Sequence, residues 1–486
     1  MESNSVMNEL KKDAVVIGAG PGGYVAAIRL GQLGKKVLLV DEDRVGGTCL
    51  NYGCIPSKAV IYFANLFGKI KKAETFGLKA SGLSVDLKKF QVWKNDVVKR
   101  LTNGVSTLCK GVEVEIVSGR AKFKSPHDIE IKQEGKTVLA SAPYTVIATG
   151  ASSFALPGFP LENPWIITSK QALDLDFIPR RLLVIGGGII GLELGSAFQR
   201  LGSHLIVVEL LDRLLAGVDP ELVRYVERPL KKRGAEIYLK SKAVSYKKKS
   251  EELEVSLETP EGTKTVVVDT ILVAVGVEPN TRGLGLEAMG VKTNPKGFIT
   301  VDTQARTSVS NVFAIGDVNG PPYLAHKAFK EGEVVAEVIA GLERSLDYYA
   351  MPSAVFTDPE IATVGLTEEE AKGKGHEIIV GRFPMGASAR GLTMGESEGL
   401  MKTIVDQKSH QVLGLHLVGP EVSELISEGA LAIEMGAMAE DIAGTIHPHP
   451  TLSEGIMESF KQTLGEAIHI ANLPNLRPEP ALKHAH

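Results

Sequence analysis

At 486 residues, with 44% hydrophobic and 23% charged residues, the chain carries too much apolar surface for one core and should divide into three or so domains. A formal net charge of -4 excludes nucleic acid as the principal partner. Three cysteines in so long a chain cannot form a secreted disulfide framework, and no apolar run is long enough to span a bilayer, so a cytoplasmic protein with no membrane partner is expected.

Residues 1–13 lack both the apolar core of a signal peptide and the Arg-rich character of a transit segment. Ala14–Ile17 reads as a buried strand, followed by the glycine turn Gly18-Ala19-Gly20-Pro21-Gly22-Gly23, a helical pattern from Tyr24 to Leu33, and a second apolar run, Val37–Val40, that ends in Asp41. Strand, glycine turn, helix, strand and acid make up the dinucleotide-binding unit. Gly18 permits the tight turn, Gly20 lets the backbone approach a pyrophosphate at the helix N-terminus, and Gly23 lets helix and strand pack closely, while Asp41 is placed to accept ribose hydroxyls.

Next comes the stretch from Gly46 to Lys58, with Cys49 and Cys54 five positions apart. A disulfide needs its Cα atoms about 5.5 Å apart, and five helical steps of about 1.5 Å separate them by more. The segment is therefore expected to bend between the cysteines. Gly53 supplies the backbone freedom, and Pro56 suits the first turn of a helix running through Lys58. So short a loop constrains the unfolded chain little, which makes reversible redox chemistry a better reason for such a bridge than stability. Buried free thiols and half of a zinc site are the competing readings. Zinc needs four ligands, only Cys109 remains among the cysteines, and no histidine lies near the pair, so no metal is expected.

Lys69 to Cys109 reads as helical and amphipathic, Gly111 to Val138 as strands, and Tyr144 to Gly150 as a buried strand ending in a glycine turn. Cys109 is most simply a small buried hydrophobe. The dinucleotide unit then returns: Arg181–Ile185, the turn Gly186-Gly187-Gly188-Ile189-Ile190-Gly191, a helix through Leu201, and Leu205–Val208 ending at Glu209. Two such units imply two nucleotide ligands. Glu209 favours an unphosphorylated ribose, hence NAD over NADP, although the basic Arg213 lies nearby.

Val266–Val275 reads as a strand leading to Gly276, and Thr307 runs through Phe313 to Asp317 as a strand with its acid at the carboxyl end, where open parallel sheets bind ligands. From Met351 strands around Ile361–Val364, Glu377–Phe383, Leu400–Val405 and Val412–Val418 alternate with helices at Glu368–Gly373 and Glu421–Met435, without a glycine fingerprint. An α+β domain that serves as an oligomer interface is expected. His447-Pro448-His449-Pro450-Thr451-Leu452-Ser453-Glu454 follows, then a helix, an extended tail from Leu473 and a loosely ordered end at Ala481–His486.

Cys49 to Lys58, the paired fingerprints, Phe313 to Asp317, Phe356 to Gly365 and His449 to Glu454 together resemble the pyridine nucleotide-disulfide oxidoreductases, and within them the dihydrolipoamide dehydrogenases. The resemblance covers nearly the whole chain. It implies an α/β fold with two Rossmann-like dinucleotide-binding domains: an FAD-binding part at 1–153, an NAD-binding domain at 154–277, a second FAD or central part at 278–350 and a C-terminal α+β dimerisation domain at 351–486. FAD would meet Gly18, Gly20, Gly23, Asp41, Thr48, Lys58, Gly150, Asp317 and Ala325. NAD would meet Gly186, Gly188, Gly191, Glu193, Glu209, Val244 and Gly276, with Glu193 also pairing Lys58 close to the flavin.

The resemblance further implies that a dihydrolipoamide thiolate attacks Cys49 of a Cys49–Cys54 redox disulfide, that Cys54 is released as a thiolate against the flavin, and that electrons pass through FAD to NAD+. His449, held by Glu454, would be the base, acting across a homodimer. His447 competes for that role, but the family's His-Pro-Thr and the glutamate five positions on align with His449, which leaves His447 to packing. The partner implied is a lipoylated carrier of a 2-oxo acid dehydrogenase or glycine cleavage complex. Tyr52 between the cysteines and the bulky Val60–Phe63 stretch, with Tyr62, depart from the usual pattern and would narrow the substrate channel. Among rival readings, mercuric reductases add a C-terminal cysteine pair, and no cysteine follows Cys109. Glutathione reductases usually carry basic residues after the second acid-ended strand and a lysine where Ser57 stands. Soluble transhydrogenases usually lack the complete cysteine pair. A non-catalytic docking subunit would leave all these groups unused.

Overall fold

The structure, a computed structural model, describes residues 9–474 and 476. The expectation for Ala481–His486, and most of that for the first residues, lies outside the described residues. The chain forms two compact units, one of Met1–Tyr62, Lys79–Phe177 and Val273–Asp347, the other of Phe63–Leu78, Ile178–Leu272 and Tyr348–His486.

In the first unit the apolar runs become a parallel sheet in the order Val312–Ala314, Tyr144–Ile147, Ala14–Ile17, Val37–Asp41, Glu115–Ser118. Strands apolar at every position need cover on both faces. Helices Pro21–Gln32 and Ala325–Ile339 pack over one face, around Val16, Leu39, Val335 and Ile339, and approach so closely that a Cβ on Gly332 would sit 2.7 Å from the Gly22 carbonyl oxygen. Over the other face lies a second sheet of Glu9–Lys11, Lys136–Ser141, Asp128–Gln133 and Arg120–Phe123, whose Phe123, Ile129 and Ile131 meet Val15, Ile17 and Leu38.

The second unit repeats the parallel pattern with Arg181–Ile185, His204–Val208 and Glu236–Tyr238, paired in that order. An antiparallel meander follows, Lys242–Lys249, Glu252–Thr259 and Gly262–Val268. Its C-terminal part is an antiparallel sheet in the order Ser353–Val355, Glu360–Gly365, Val412–Gly419, Leu400–Asp406, Ile378–Pro384, packed by helices Val422–Glu434 and Glu454–Thr463 through Leu415, Ile426, Ile456 and Phe460. Among the described residues no helix is long and apolar enough to cross a membrane.

Four expectations need correction. The helix expected from Lys69 to Cys109 is interrupted: Cys54–Lys72 ends in a short 3-10 turn at Ala73–Phe76, Gly77 turns left-handed at φ 85°, and a new helix, Leu87–Gly111, starts where Asp86 accepts from the Lys89 amide at 3.0 Å. The Val266–Val275 run is two strands, Gly262–Val268 and Thr270–Val273, divided at Asp269, whose carboxylate accepts from the amides of Arg180 and Arg181. The strand towards Asp317 is only Val312–Ala314, because Gly316 at φ 75° turns the chain into a 3-10 turn that carries the acid. In the tail from Leu473, the Leu476 amide donates back to the Leu473 carbonyl, so the described part turns instead of extending.

The second unit also buries a lysine that the strand alternation does not announce. Lys402, 3% exposed in its side chain, reaches Asp219 at 2.6 Å, Glu221 at 2.9 Å and Glu368 at 2.6 Å. Burial pushes all three carboxyls up, but hydrogen bonds and charge from Lys402, joined at Glu221 and Glu368 by Arg382, outweigh it and hold them below their ordinary range. Lys402→Met strands the carboxylates and should destabilise the fold by about 3–5 kcal/mol in chemical denaturation. In the parent protein this stabilisation is present above the unfolded carboxylate range, near about pH 4, and is lost as pH falls through the depressed folded values. The variant should therefore lose the acid arm of the stability profile, and an unchanged denaturation midpoint would contradict the assignment.

Candidate functional site

Cys49 lies in the helix Gly47–Tyr52 and Cys54 opens the helix Cys54–Lys72, the two separated at Gly53, which adopts φ -133° and ψ -107°. That break is the bend the spacing requires. The two cysteines are in the dithiol form, and Cys49 hydrogen-bonds Cys54. The hydrogen bond with Cys54, then burial, push the Cys49 thiol well above its ordinary value, and Lys58 opposes them. Cys54 sits where the first-turn amides of a helix favour negative charge. The two members of the pair therefore stand differently: the Cys49 thiol is raised by its neighbour and by burial, and Cys54 opens a helix.

The loop before the pair is fixed to the nucleotide turn. The Gly46 amide donates to the Ala19 carbonyl at 2.8 Å, and a Cβ on Gly47 would lie 2.5 Å from the Gly20 Cα. Asn51 fastens the loop further by donating to the carbonyls of Val45 and Gly47. Ser57, buried, donates from its hydroxyl to the Cys54 carbonyl at 3.0 Å. Tyr24 comes within electrostatic reach of both sulfurs, and burial, then the cysteine charges, push its phenol up to about 12. The Tyr52 ring lies beneath the Lys170 ammonium at 3.7 Å, and Tyr62 is exposed.

At the first glycine turn Gly18 takes φ 103°, and a Cβ on Gly23 would fall 1.8 Å from the Gly18 carbonyl oxygen, so helix and turn touch. Gly20 differs: a Cβ there would meet nothing nearer than 4.0 Å, which leaves an open cradle before the uncapped N-terminus of Pro21–Gln32. Asp41 accepts from the Ala19 amide at 2.5 Å and the Asp43 amide at 2.8 Å, and burial raises its carboxyl although both amides pull it down. Thr48 is exposed and Lys58 half-buried. Gly150, at φ 68° with open space around a Cβ, is clamped by Asn280, whose amide donates to its carbonyl.

Asp317 stands half-buried over a buried ion pair in which Lys327 lies 3.3 Å from Glu331. Lys327 also donates to Asn319 and the Gly320 carbonyl, Glu331 accepts from the Gly316 amide at 2.6 Å, and Ala325 begins the helix that carries both. Burial raises the Asp317 carboxyl, with Lys327 opposing.

The second glycine turn, in the other unit, has the same construction. Gly186 takes φ 107°, a Cβ on Gly191 would lie 2.2 Å from the Gly186 carbonyl oxygen, and Gly188 opens a cradle with nothing within 4 Å before the uncapped helix Ile189–Leu201. Glu209 accepts from the Gly187 amide at 2.6 Å and the Leu211 amide at 2.8 Å. Arg213 donates to the Ala216 carbonyl. Val244 is exposed at a register shift of the meander, and Gly276, at φ 120°, belongs to the first unit. Glu193 is buried and accepts from the Phe356 amide at 2.8 Å. Both cradles suit a dinucleotide: open backbone, free helix-start donors and an acid at the next strand end.

His449 is exposed, and its Nδ1 lies 2.9 Å from Glu454, whose other oxygen accepts from the Thr451 amide at 2.8 Å. Burial pushes Glu454 up, and the Thr451 amide and His449 outweigh it, holding the carboxyl below its ordinary value. With Nδ1 held, the other ring nitrogen of His449 is the one that can exchange a proton. His447 is placed differently: its side chain is 5% exposed, Nδ1 lies against the Thr445 carbonyl and Nε2 is 2.8 Å from Glu428. Among the described residues no group of three His, Cys, Asp or Glu side chains could hold a metal.

Sequence reasoning missed Tyr24, Asn51, the Lys327–Glu331 pair and the Asn280 clamp. Only Asn280 left a signal, standing just after Pro279 in the stretch that opens at Gly276 and that the structure forms as the strand Val277–Pro279.

Residues 12–332 match the pyridine nucleotide-disulphide oxidoreductase family, and residues 351–460 match that family's dimerisation domain. The chain is 49% identical to the dihydrolipoyl dehydrogenase of Thermus scotoductus over 95% of its length and 99% of the relative's. It is 43% identical to that of Geobacillus stearothermophilus over 95% and 98%. The solved structure of LpdA from Mycobacterium tuberculosis is similar, with a TM-score of 0.87 and 27% identity over 93% of this chain and 99% of that one.

The two cradles can be tested separately. Gly20→Val should fold with a near-native melting temperature yet lose bound flavin nucleotide, because its side chain fills only the open cradle. Gly188→Val should keep the flavin and raise the Kd for pyridine nucleotide at least about tenfold. Normal flavin content in Gly20→Val would show that the first cradle is not the flavin site.

Proposed function

The chain belongs to the pyridine nucleotide-disulphide oxidoreductase family, and from that premise we propose that it is a dihydrolipoyl dehydrogenase, oxidising protein-bound dihydrolipoamide and reducing NAD+ by way of Cys49, Cys54 and FAD. The observation that carries this reading is the unequal dithiol, hydrogen-bonded across the break at Gly53 and fixed to the first nucleotide turn. The relatives named above for this activity support it. FAD is held by the first cradle with Asp41, Thr48, Lys58, Gly150, Asp317 and Ala325, and NAD by the second with Glu193, Glu209, Val244 and Gly276.

In the oxidised enzyme Cys49 and Cys54 share a disulfide. His449 takes the proton from a substrate thiol, and Glu454 steadies the resulting imidazolium. The substrate thiolate attacks the Cys49 sulfur, the bond between the cysteines breaks, and Cys54 leaves with the electron pair as a thiolate. The second substrate thiol displaces Cys49 and closes the lipoyl disulfide, its proton passing to the departing Cys49 sulfur. Bound FAD supplies the carrier that moves the electron pair from the dithiol to NAD+, which returns the cysteines to the disulfide.

Residues 351–486 form the interface of a homodimer, a reading supported by the match to a dimerisation domain. In that dimer the base is His449 of the partner subunit. The finer division at 1–153, 154–277 and 278–350, and the pairing of Lys58 with Glu193, belong to the same proposal. The enzyme works in the cytoplasm on the lipoylated carrier of a 2-oxo acid dehydrogenase or glycine cleavage complex.

Anaerobic titration of the flavin-loaded protein with dihydrolipoamide should produce a long-wavelength absorption band from the Cys54 thiolate against the flavin. An unchanged flavin spectrum would sink the redox reading and leave a docking subunit. His449→Ala should lower kcat by about 10²–10⁴-fold while flavin content stays normal. Glu209, with Arg213 engaged elsewhere, predicts a kcat/KM for NAD+ well above that for NADP+ in steady-state assays.

A further inference from the structure

The second unit holds a cavity of about 570 Å3 walled by the end of helix Ile189–Leu201, the segment 65–72 and Thr357–Glu360. Arg200 projects its guanidinium here with 4% of its side chain exposed. Among the described residues none of its three nitrogens has a hydrogen-bond partner, and on the same wall the Ser203 hydroxyl and the side-chain amide oxygen of Asn65 are also unpartnered. Asp358 comes only to 3.8 Å from Arg200, and it is shared with Arg233 at 3.9 Å. Glu360, another acid of the wall, is engaged by the amide and hydroxyl of Ser423.

A guanidinium taken out of water with its donors unmet is costly, and the fold retains that cost only where an acceptor arrives. Burial pulls Arg200 down to about 10, with Asp358 opposing and Arg233 adding to the fall, so the cation is under-compensated by its neighbours. A planar fork of donors beside a hydroxyl matches a group that presents several oxygens on one centre. The volume suits a small metabolite. Thirteen helical residues put the cavity about 18 Å along the helix from the second glycine turn, so an occupant would not displace the pyridine nucleotide.

We propose that this cavity binds a small oxyanion of at least two negative charges, a phosphoryl group or a dicarboxylate, through the Arg200 guanidinium with Ser203 as a second donor. The flavin-loaded full chain, saturated with NAD+ to occupy the other anion-binding turn, is titrated calorimetrically in low-anion buffer with inorganic phosphate and, in parallel, succinate. Saturable binding of one per chain is expected for at least one of them, phosphate alone identifying phosphoryl oxygens and succinate alone carboxylates. Arg200→Met should weaken binding at least about tenfold and Arg200→Lys, which keeps the charge but loses the fork, by a smaller factor. Without anion, Arg200→Met should melt no lower than the parent, and only the parent should gain melting temperature on adding the anion that binds. Absence of saturable binding in the parent, undiminished binding in both Arg200 variants, or a crystal structure of the dimer with a partner side chain filling the cavity would overturn the proposal.

Discussion

Gly47 and Gly20 meet backbone to backbone, at a separation that admits no side chain on Gly47. This contact is the constraint on which the redox site depends. On one side of it the first nucleotide turn is held by Asp41 through the Ala19 amide, and on the other the helix bearing Cys49 begins. The Gly46 amide, bonded to the Ala19 carbonyl, completes a continuous run of hydrogen bonds from the strand-end acid to the cysteine helix. A redox pair has to stand in a fixed place relative to its cofactor, and rigid backbone contact achieves that with less freedom than side chains could.

The same turn is built twice and used differently. Asp41 and Glu209 each accept the amide 22 positions earlier and the amide two positions later. In the first unit the carbonyl of the turn accepts Gly46, whose neighbours lead into the cysteines. In the second the Gly187 carbonyl accepts Leu215, and a buried Leu214 lies where a Cβ on Gly187 would collide, 2.5 Å away. The nucleotide cradle is thus a repeated part, and the chain beyond the acid decides whether chemistry is attached to it.

Buried charge marks the places where the fold has been made specific. Lys327 with Glu331 shapes the turn under Asp317, Lys402 gathers three carboxylates, and Lys94 reaches Asp174 and the Leu173 carbonyl from a fully buried position. In each case the charge is desolvated and met by named partners, the arrangement that costs several kcal/mol to break from one side. Arg200 departs from the pattern because, among the described residues, its donors are unmet.

By itself the sequence determined what depends on neighbours in the chain. Glycine spacing fixes both turns through sterics, apolar runs fix the parallel strands, and two cysteines around Gly53 fix a break between helices. Only the tertiary structure decided what depends on residues far apart in sequence. His447 and His449 are two positions apart in one proline-rich stretch, yet Glu428 draws the first into the interior while Glu454 holds the second at the surface. The long helical pattern after Lys69 hid its interruption behind apolar spacing on both sides, although Gly77, Ser81-Gly82 and the capping Asp86 mark the loop that divides the two helices. The ion pair under Asp317 was hidden for a related reason: Lys327 and Glu331 stand one helical turn apart like any solvated pair, and it is packing against the Gly316 turn that takes them out of water.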